Sequence, residues 1–216
     1  MIPSGGPARK GVGINAILTS HSHSRGMAFS APRAAIDAFN ARASAHDWPF
    51  FAAPAGGFAR PELAAALALW REKAGSRAMP DRADMTARAM KPFMPNMSLL
   101  EGVMVDGRRN YRIRLHGRVL ASYSGDHTGK LLHEAVHDER IAGYAAVYDL
   151  VIQAGMPLRV TTSYQAPEIS YLTGESLVAP LAVPGPTTPI ILSVTYPGLR
   201  AEAFAVRADA ESPRWK

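Results

Sequence analysis

The sequence predicts an α+β fold, because strand patterns and a helical pattern occupy separate parts of the chain. Residues 111–116 alternate apolar and polar side chains, which is the period-2 pattern of a strand with one buried face. Apolar residues between Ile141 and Ile152 instead recur at threes and fours, so they predict a helix that ends before Gly155. The segments that read as strands are residues 97–104, 111–115, 158–164, 176–183 and 190–196.

The start of the chain predicts an extension rather than part of the main domain. Residues 1–26 are rich in glycine, serine and basic residues and show no lasting period, so we expect disorder there. Residues 34–45 favour a short alanine-rich helix, and the apolar residues 48–51 precede a linker that contains Pro54. The predicted division of the chain is an extension at 1–60, a domain at 61–199 and a tail at 200–216, with a short helix at 200–208.

A second helix is predicted to begin near Pro61, because proline suits the first helical position. Leu63, Leu67 and Trp70 stand at positions i, i+4 and i+7 of this helix, so they form one apolar face. Such a face packs against its own domain or against a second subunit, which makes a homodimer through this N-terminal helix one of two open expectations.

The centre of the predicted domain is a hairpin followed by a short helix. Asp106-Gly107 favours a tight turn between the first two strands, whose pairing is then antiparallel. The second strand ends at Gly117. Beyond it, apolar residues between Val119 and Tyr123 are spaced as on a short helix.

The order of these segments resembles one group of bacterial single-module PAS domain proteins. The strand, short helix and glycine-aspartate turn at 111–126 resemble the second strand and following helix of a PAS domain, and the tryptophan-arginine pair and proline-containing stretch at 70–95 resemble the lead-in of that group. Gly155-Met156-Pro157 fits the turn before a later strand, and residues 175–181 fit the strand after that. The resemblance covers residues 62–196. It implies a five-stranded antiparallel sheet with helices inserted after the second strand, plus an N-terminal helical extension.

The resemblance also implies a function: a non-catalytic sensory or regulatory module that binds a small molecule, a signalling partner protein or both. The ligand would lie between the inner face of the sheet and the following helices, walled here by residues 111–115 and 141–152. Tyr144 and Tyr148 lie four residues apart on one helical face, so their rings suit the lining of such a site. The alternative is that both are ordinary core residues. The predicted ligand-binding residues are Tyr111, Ile113, Tyr144 and Tyr148.

The cofactor is unknown from the sequence. Haem would need an axial histidine, and none occurs between Ile141 and Ile152, although His137 lies just before them. A flavin held without a covalent bond stays open. The chain contains no cysteine, which excludes disulfides, cysteine-ligated zinc or iron–sulfur clusters, and a cysteinyl flavin adduct. Arg112 and Arg114 suit an anionic ligand such as a nucleotide, but arginines on the outer face of a strand are more often solvated.

One motif argues for a different class of protein. Residues 133–137 match H-E-x-x-H, which in zinc proteases places two histidines on one helical face with the glutamate as general base. Asp149 or Glu168 is available as a third ligand. Against this, Gly129 lies four residues before His133 and leaves little room for a long helix. A zinc-dependent hydrolase is therefore the alternative function, and a purely structural PAS interaction domain is a third. We predict no catalytic residue and no metal ligand.

The charge of the chain narrows its partners only slightly. The formal net charge is +6, from 24 lysines and arginines against 18 acids, but the arginines are scattered and no nucleic-acid motif accompanies them. We therefore do not expect nucleic acid as a partner. No apolar run approaches the roughly eighteen residues that a membrane helix needs. The start of the chain also lacks a secretory type of apolar core, so we expect a cytoplasmic location without a membrane partner.

Overall fold

The computed structural model describes residues 23–136, 138–163, 172–185 and 189–199. These residues form an α+β fold, as the sequence predicts. The helices are α1 (His23–Ala45), α2 (Pro61–Ala74), α3 (Ala87–Met90), α4 (Arg118–Ser124), α5 (Leu132–Ala135) and α6 (Asp138–Ala154). The strands are β1 (Phe50–Pro54), β2 (Met97–Val105), β3 (Arg108–His116), β4 (Leu158–Ser163), β5 (Leu172–Leu181) and β6 (Ile190–Leu199).

The strands of the described residues form a single six-stranded sheet in the order β1-β4-β5-β6-β2-β3. Every neighbouring pair in it is antiparallel. The five predicted strands are β2 to β6, and helices α4 to α6 are inserted after the second of them. Asp106 and Gly107 have φ angles of 50° and 73°, the left-handed geometry that a two-residue hairpin favours. The antiparallel hairpin is therefore confirmed.

The sixth strand, β1, lies where the sequence predicts an apolar segment and a linker. It pairs with β4 at the edge of the sheet, with Phe50 opposite Thr162. Phe50 and Ala52 are buried, whereas Phe51 between them is 46% exposed. This alternation covers only five residues and ends at Pro54. So short a pattern cannot be distinguished from a loop in the sequence, because only the pairing with β4 makes it a strand. The predicted sheet was therefore one strand short.

The outer edge of β1 is closed by a side chain rather than by another strand. Asn40 of α1 donates from Nδ2 to the Ala52 carbonyl and accepts the Ala52 N–H at Oδ1, both at 2.8 Å. The two backbone groups of Ala52 that face away from β4 are thereby satisfied, as buried edge groups must be.

Element boundaries differ from the prediction at several places. Helix α1 begins at His23, well before residue 34, and contains Pro32. Strand β5 ends at Leu181, because Ala182 leaves it to form a parallel bridge with Asp81. The helix predicted at 200–208 lies outside the described residues, as does most of the N-terminal segment predicted to be disordered. No helix in the described ranges is long and apolar enough to cross a membrane.

Both faces of the sheet are covered, each by a different set of elements. Alternate residues of β5 and β6 enter opposite clusters: Val178 and Ile191 face one side, and Leu177 and Leu192 face the other. Helices α1 and α6 cover the first side. Helix α2 and the segment at 79–94, which includes α3, cover the second side. The result is a sheet sandwiched between two apolar layers.

The apolar face of α2 is buried against the sheet of the same chain. Leu63, Leu67 and Trp70 are 0%, 4% and 5% exposed, and Trp70 Nε1 donates to the Pro180 carbonyl at 2.9 Å. Of the two expectations for this face, the structure shows the packing of the helix against its own domain. Each such side chain stabilises the fold by about 1.5–3 kcal/mol through burial.

A β-bulge divides the buried face of β3. The register between β2 and β3 shifts between Leu99 and Leu100, so Leu100 lies opposite Ile113 and Leu99 opposite Leu115. Tyr111 and Ile113 therefore face α6, whereas Leu115 packs with the α2 layer on the other side. The sequence predicts one face for all three residues, and that prediction is wrong for Leu115. Bulges of this kind change the side-chain alternation without leaving a local sequence signal.

A buried ion pair links the sheet to the start of α2. Arg159 of β4 donates from Nε to Glu175 of β5 at 2.6 Å, and each side chain is 11% exposed. The second carboxylate oxygen accepts the backbone N–H groups of Ala59 at 3.0 Å and Arg60 at 3.2 Å. Glu175 thus holds the residues immediately before Pro61 against the sheet.

Gly117, where β3 passes into α4, supports a first prediction. A Cβ atom at this position would overlap the Met94 and Pro95 carbonyl oxygens, which belong to the backbone and cannot rotate away. We expect Gly117→Ala to lower the free energy of unfolding by about 3 kcal/mol or more, measured by urea denaturation.

The matched control is Gly107→Ala, at the hairpin glycine with φ of 73° and no atom near its would-be Cβ. This control carries only the backbone cost of about 1 kcal/mol. Equal losses in the two variants would contradict the steric account of Gly117.

Candidate functional site

The four predicted ligand-binding residues come together in one cluster. Tyr111 and Ile113 of β3 are 0% and 5% exposed, and Tyr148 of α6 is 8% exposed. Tyr144, one helical turn before Tyr148, is half-buried and packs against the same cluster. The structure therefore places all four between α6 and the inner face of the sheet.

Two of the three ring pairs in this cluster pack edge to face, and the third, between Tyr144 and Tyr148, is tilted at 32°. The centroids of Tyr111 and Tyr148 are 5.1 Å apart at 64°, and Tyr144 and Tyr148 are 6.4 Å apart. Phe50 of β1 extends the row, with its centroid 4.8 Å from that of Tyr144 at 70°. Edge-to-face pairs each add about 0.5–1.5 kcal/mol beyond their buried area. We name Phe50, Tyr111, Tyr144 and Tyr148 the aromatic row.

Phe50 was missed as a site residue, although its apolar segment stands out in the sequence. It reaches the row because α6 carries a glycine at the crossing point. A Cβ at Gly143 would lie 2.7 Å from Phe50 Cε2 and 3.3 Å from Trp48 Cγ. Gly143 therefore leaves the space that the Phe50 ring occupies.

One end of the aromatic row is polar. The Tyr111 hydroxyl donates to Asp149 Oδ1 at 2.6 Å, and Arg109 Nη1 lies 3.3 Å from the same oxygen. Asp149 is half exposed, so its carboxylate stays in contact with water while it binds a buried phenol. Burial, and then the bond to Asp149, raise the pKa of Tyr111 well above its ordinary value of 10. The phenol remains a donor across the physiological range.

Helix α5 lies beside the cluster and brings Leu132, 2% exposed, into the same core. His133 of α5 accepts a hydrogen bond at Nδ1 from Asn110 Nδ2 of β3 at 2.7 Å, and Glu134 accepts the Leu131 N–H at the start of α5, also at 2.7 Å. The α5 backbone ends at Ala135, because Val136 is extended.

This geometry does not support the zinc hypothesis. The H-E-x-x-H pattern needs one continuous helix, yet α5 stops before His137, which lies outside the described residues. Asp149, one suggested third ligand, accepts a hydrogen bond from Tyr111 instead. Glu168 also lies outside the described residues. Within the described ranges, no three histidine or acidic side chains are grouped to hold a metal ion.

Arg112 and Arg114 do not join the aromatic row. Both are exposed, and Arg114 pairs with Glu101 of β2 at 3.0 Å. Their alternation with Tyr111 and Ile113 directs Arg112 away from α6. An anionic ligand held by these arginines would therefore bind at the solvent-exposed surface of β3, away from the aromatic row.

The bond between Tyr111 and Asp149 supports a second prediction. We expect Tyr111→Phe to lower the free energy of unfolding by about 1–2 kcal/mol, because a buried charge-assisted hydrogen bond is lost while Asp149 stays hydrated. The control Tyr123→Phe removes the hydroxyl of a ring that is 63% exposed, and should stay within about 0.5 kcal/mol of the parent.

The same bond has a pH signature. A phenol whose pKa is raised by folding stabilises the folded state below pH 10, and that contribution is lost as the pH rises towards the folded value. Tyr111→Phe should therefore remove part of the alkaline loss of stability seen in the parent, as measured by chemical denaturation above pH 10. An unchanged alkaline slope would contradict this assignment.

Comparison with known proteins agrees with the sheet and its inserted helices. A family model for the PAS domain matches residues 59–195, from just before α2 into β6. No curated protein and no solved structure matches the chain. Because the family model covers more than half of the sequence, the chain belongs to the PAS domain family.

Proposed function

We propose that this protein is a sensory or regulatory PAS module that binds a small molecule at the aromatic row. PAS domains are sensory and regulatory modules and are generally non-catalytic. The observation that carries the finer proposal is the convergence of Tyr111, Ile113, Tyr144 and Tyr148 on one cluster between α6 and the sheet. Signal output would pass to a partner protein.

The chemistry of the row indicates the kind of ligand. Aromatic faces and Ile113 suit a flat, largely apolar molecule, and the carboxylate of Asp149 suits a hydrogen-bond donor on it. Tyr144 is the least buried of the predicted site residues, so entry beside its ring needs the smallest rearrangement. A ligand of this class would replace ring-to-ring contacts with ring-to-ligand contacts.

The tight packing of the row also favours a second candidate function, a structural interaction module. Tyr111 is fully buried and its hydroxyl is already satisfied by Asp149. In this alternative the cluster is filled by its own side chains, and the partner protein is recognised on the surface.

Three further features belong to the proposal. The boundaries at 61–199 mark the PAS unit, with α1 and β1 as an N-terminal addition to its core. A homodimer would need a surface other than the α2 face, because Leu63, Leu67 and Trp70 are buried within the same chain. We also propose that the chain belongs to the bacterial single-module group of PAS proteins and that it is located in the cytoplasm.

Two substitutions on β3 test the ligand site. Ile113→Phe adds volume beside the aromatic row, whereas Leu115→Phe adds the same kind of volume on the α2 side of the bulge. Native mass spectrometry of the purified protein should show an organic adduct that Ile113→Phe loses and Leu115→Phe retains. Circular dichroism should first show that both variants are folded.

The outcomes separate the two candidate functions. A compound that raises the melting temperature of the parent and of Leu115→Phe, but not of Ile113→Phe, supports the ligand site. Bare protein that no compound stabilises would favour the interaction module.

The hydrolase alternative is tested in the same spectra. We expect no zinc mass that disappears in His133→Ala, because α5 ends before the second histidine. A stoichiometric zinc lost in that variant would overturn this expectation and move the metal site ahead.

A further inference from the structure

A short segment between α4 and α5 covers the outer edge of β3. We name residues 125–131 the strap. Gly129 donates its N–H to the Ile113 carbonyl at 2.7 Å, and Ile113 donates its N–H to the Lys130 carbonyl at 2.9 Å. The strap closes with an antiparallel bridge between Leu131 and Arg112. It therefore satisfies an edge of the sheet that no further strand of the described residues covers.

A histidine joins the strap to two other elements. His116, the last residue of β3, contacts Ser98 Oγ of β2 through Nδ1 at 3.0 Å and Ser124 Oγ of α4 through Nε2 at 3.2 Å. Its backbone N–H donates to Thr128 Oγ1 of the strap at 3.2 Å. Both ring nitrogens of His116 are thus engaged by β2 and α4, while its backbone N–H holds the strap.

A second histidine on the strap faces the first. The ring centroids of His116 and His127 are 5.4 Å apart, and both rings are half-buried. The Nδ1 atom of His127 is buried and has no hydrogen-bond partner within the described residues. Displacement of the strap would give this nitrogen access to water, which favours the open state.

The groups around His116 disfavour the protonated form of its ring. Burial first, and then the neighbouring His127, lower the pKa of His116 from its ordinary value of 6.5, while Asp126 acts in the opposite direction. Asp126 is exposed and is itself engaged by the Thr128 N–H at 2.9 Å. The other charged groups on the adjoining elements are Arg118 on α4, Lys130 on the strap, and Arg114 of β3 with its partner Glu101 of β2.

We propose that His116 and His127 form a proton-sensitive latch, which holds the strap on β3 when His116 is neutral and releases it when His116 is protonated. A group whose pKa is lowered in the closed state stabilises that state above its ordinary pKa. This stabilisation is complete above about pH 6.5 and is lost as the pH falls through the lowered value. Acidification therefore opens the strap.

The latch is connected to the aromatic row through the chain itself. The strap ends at Leu131, and the next residue, Leu132, is buried in the cluster that contains Tyr111 and Ile113. Release of the strap frees the connection that holds α5 in place, and so makes ligand access dependent on pH. This last step rests on the proposed ligand site, whereas the latch does not.

Amide hydrogen exchange followed by NMR on the full chain tests the latch between pH 5 and pH 8. After correction for intrinsic rates, the protection of the Ile113 and Gly129 amides should fall below pH 6.5, by at most about tenfold per pH unit for one proton. The Val194 amide in the centre of the sheet should not follow. In His116→Gln this fall should disappear, and in the control His46→Gln, whose ring stacks on Trp48 away from the strap, it should persist.

Three results would overturn the latch: pH-independent protection in the parent, a fall that includes Val194, or a fall that persists in His116→Gln. If that variant does not fold, the ring signals of His116 in the parent decide the question. Their titration midpoint should lie below 6.5 and coincide with the opening of the strap, and a midpoint elsewhere refutes the proposal. Because no ligand is used, failure of the latch and failure of the ligand site are separate results.

Discussion

The architecture depends on how one buried carboxylate is satisfied. Glu175 lies within β5, where an unpaired charge would cost several kcal/mol. Arg159 from the neighbouring strand and the N–H groups of Ala59 and Arg60 together compensate it. These contacts join β4, β5 and the entry to α2, so the helix that covers one face of the sheet is fixed at its first residue. Removing any one partner would leave the Glu175 charge buried and undercompensated, so the positions of these three elements depend on one another.

Elements with a strong local period could be predicted from the sequence, and those formed by contact with distant residues could not. The period of α6 and the alternation of β3 are visible along the chain, and Asp106-Gly107 identifies the hairpin directly. Strand β1 was missed because its five residues become a strand only beside β4 and under Asn40. The change of face at Leu115 was missed because the extra residue of a bulge is defined by the partner strand.

The candidate site shows the same division. Tyr144 and Tyr148 share a face by helical spacing alone, so their proximity follows from the sequence. The pairing of Tyr111 with Asp149 joins two elements separated by 38 positions, and no local pattern records it. The H-E-x-x-H motif fails for the complementary reason. The residue types of the motif are present, but Val136 is extended and ends α5. A continuous helix is what would place the two histidines on one face.

The amide of Asn40 has a consequence for how this molecule meets other chains. By offering one donor and one acceptor to Ala52, it imitates the peptide group of a neighbouring strand. An incoming β-strand would have to displace that amide and the helix that carries it before it formed its first hydrogen bond at Ala52. Growth of the sheet by strand addition is therefore blocked at this edge, and a partner that approaches it must recognise side chains rather than backbone.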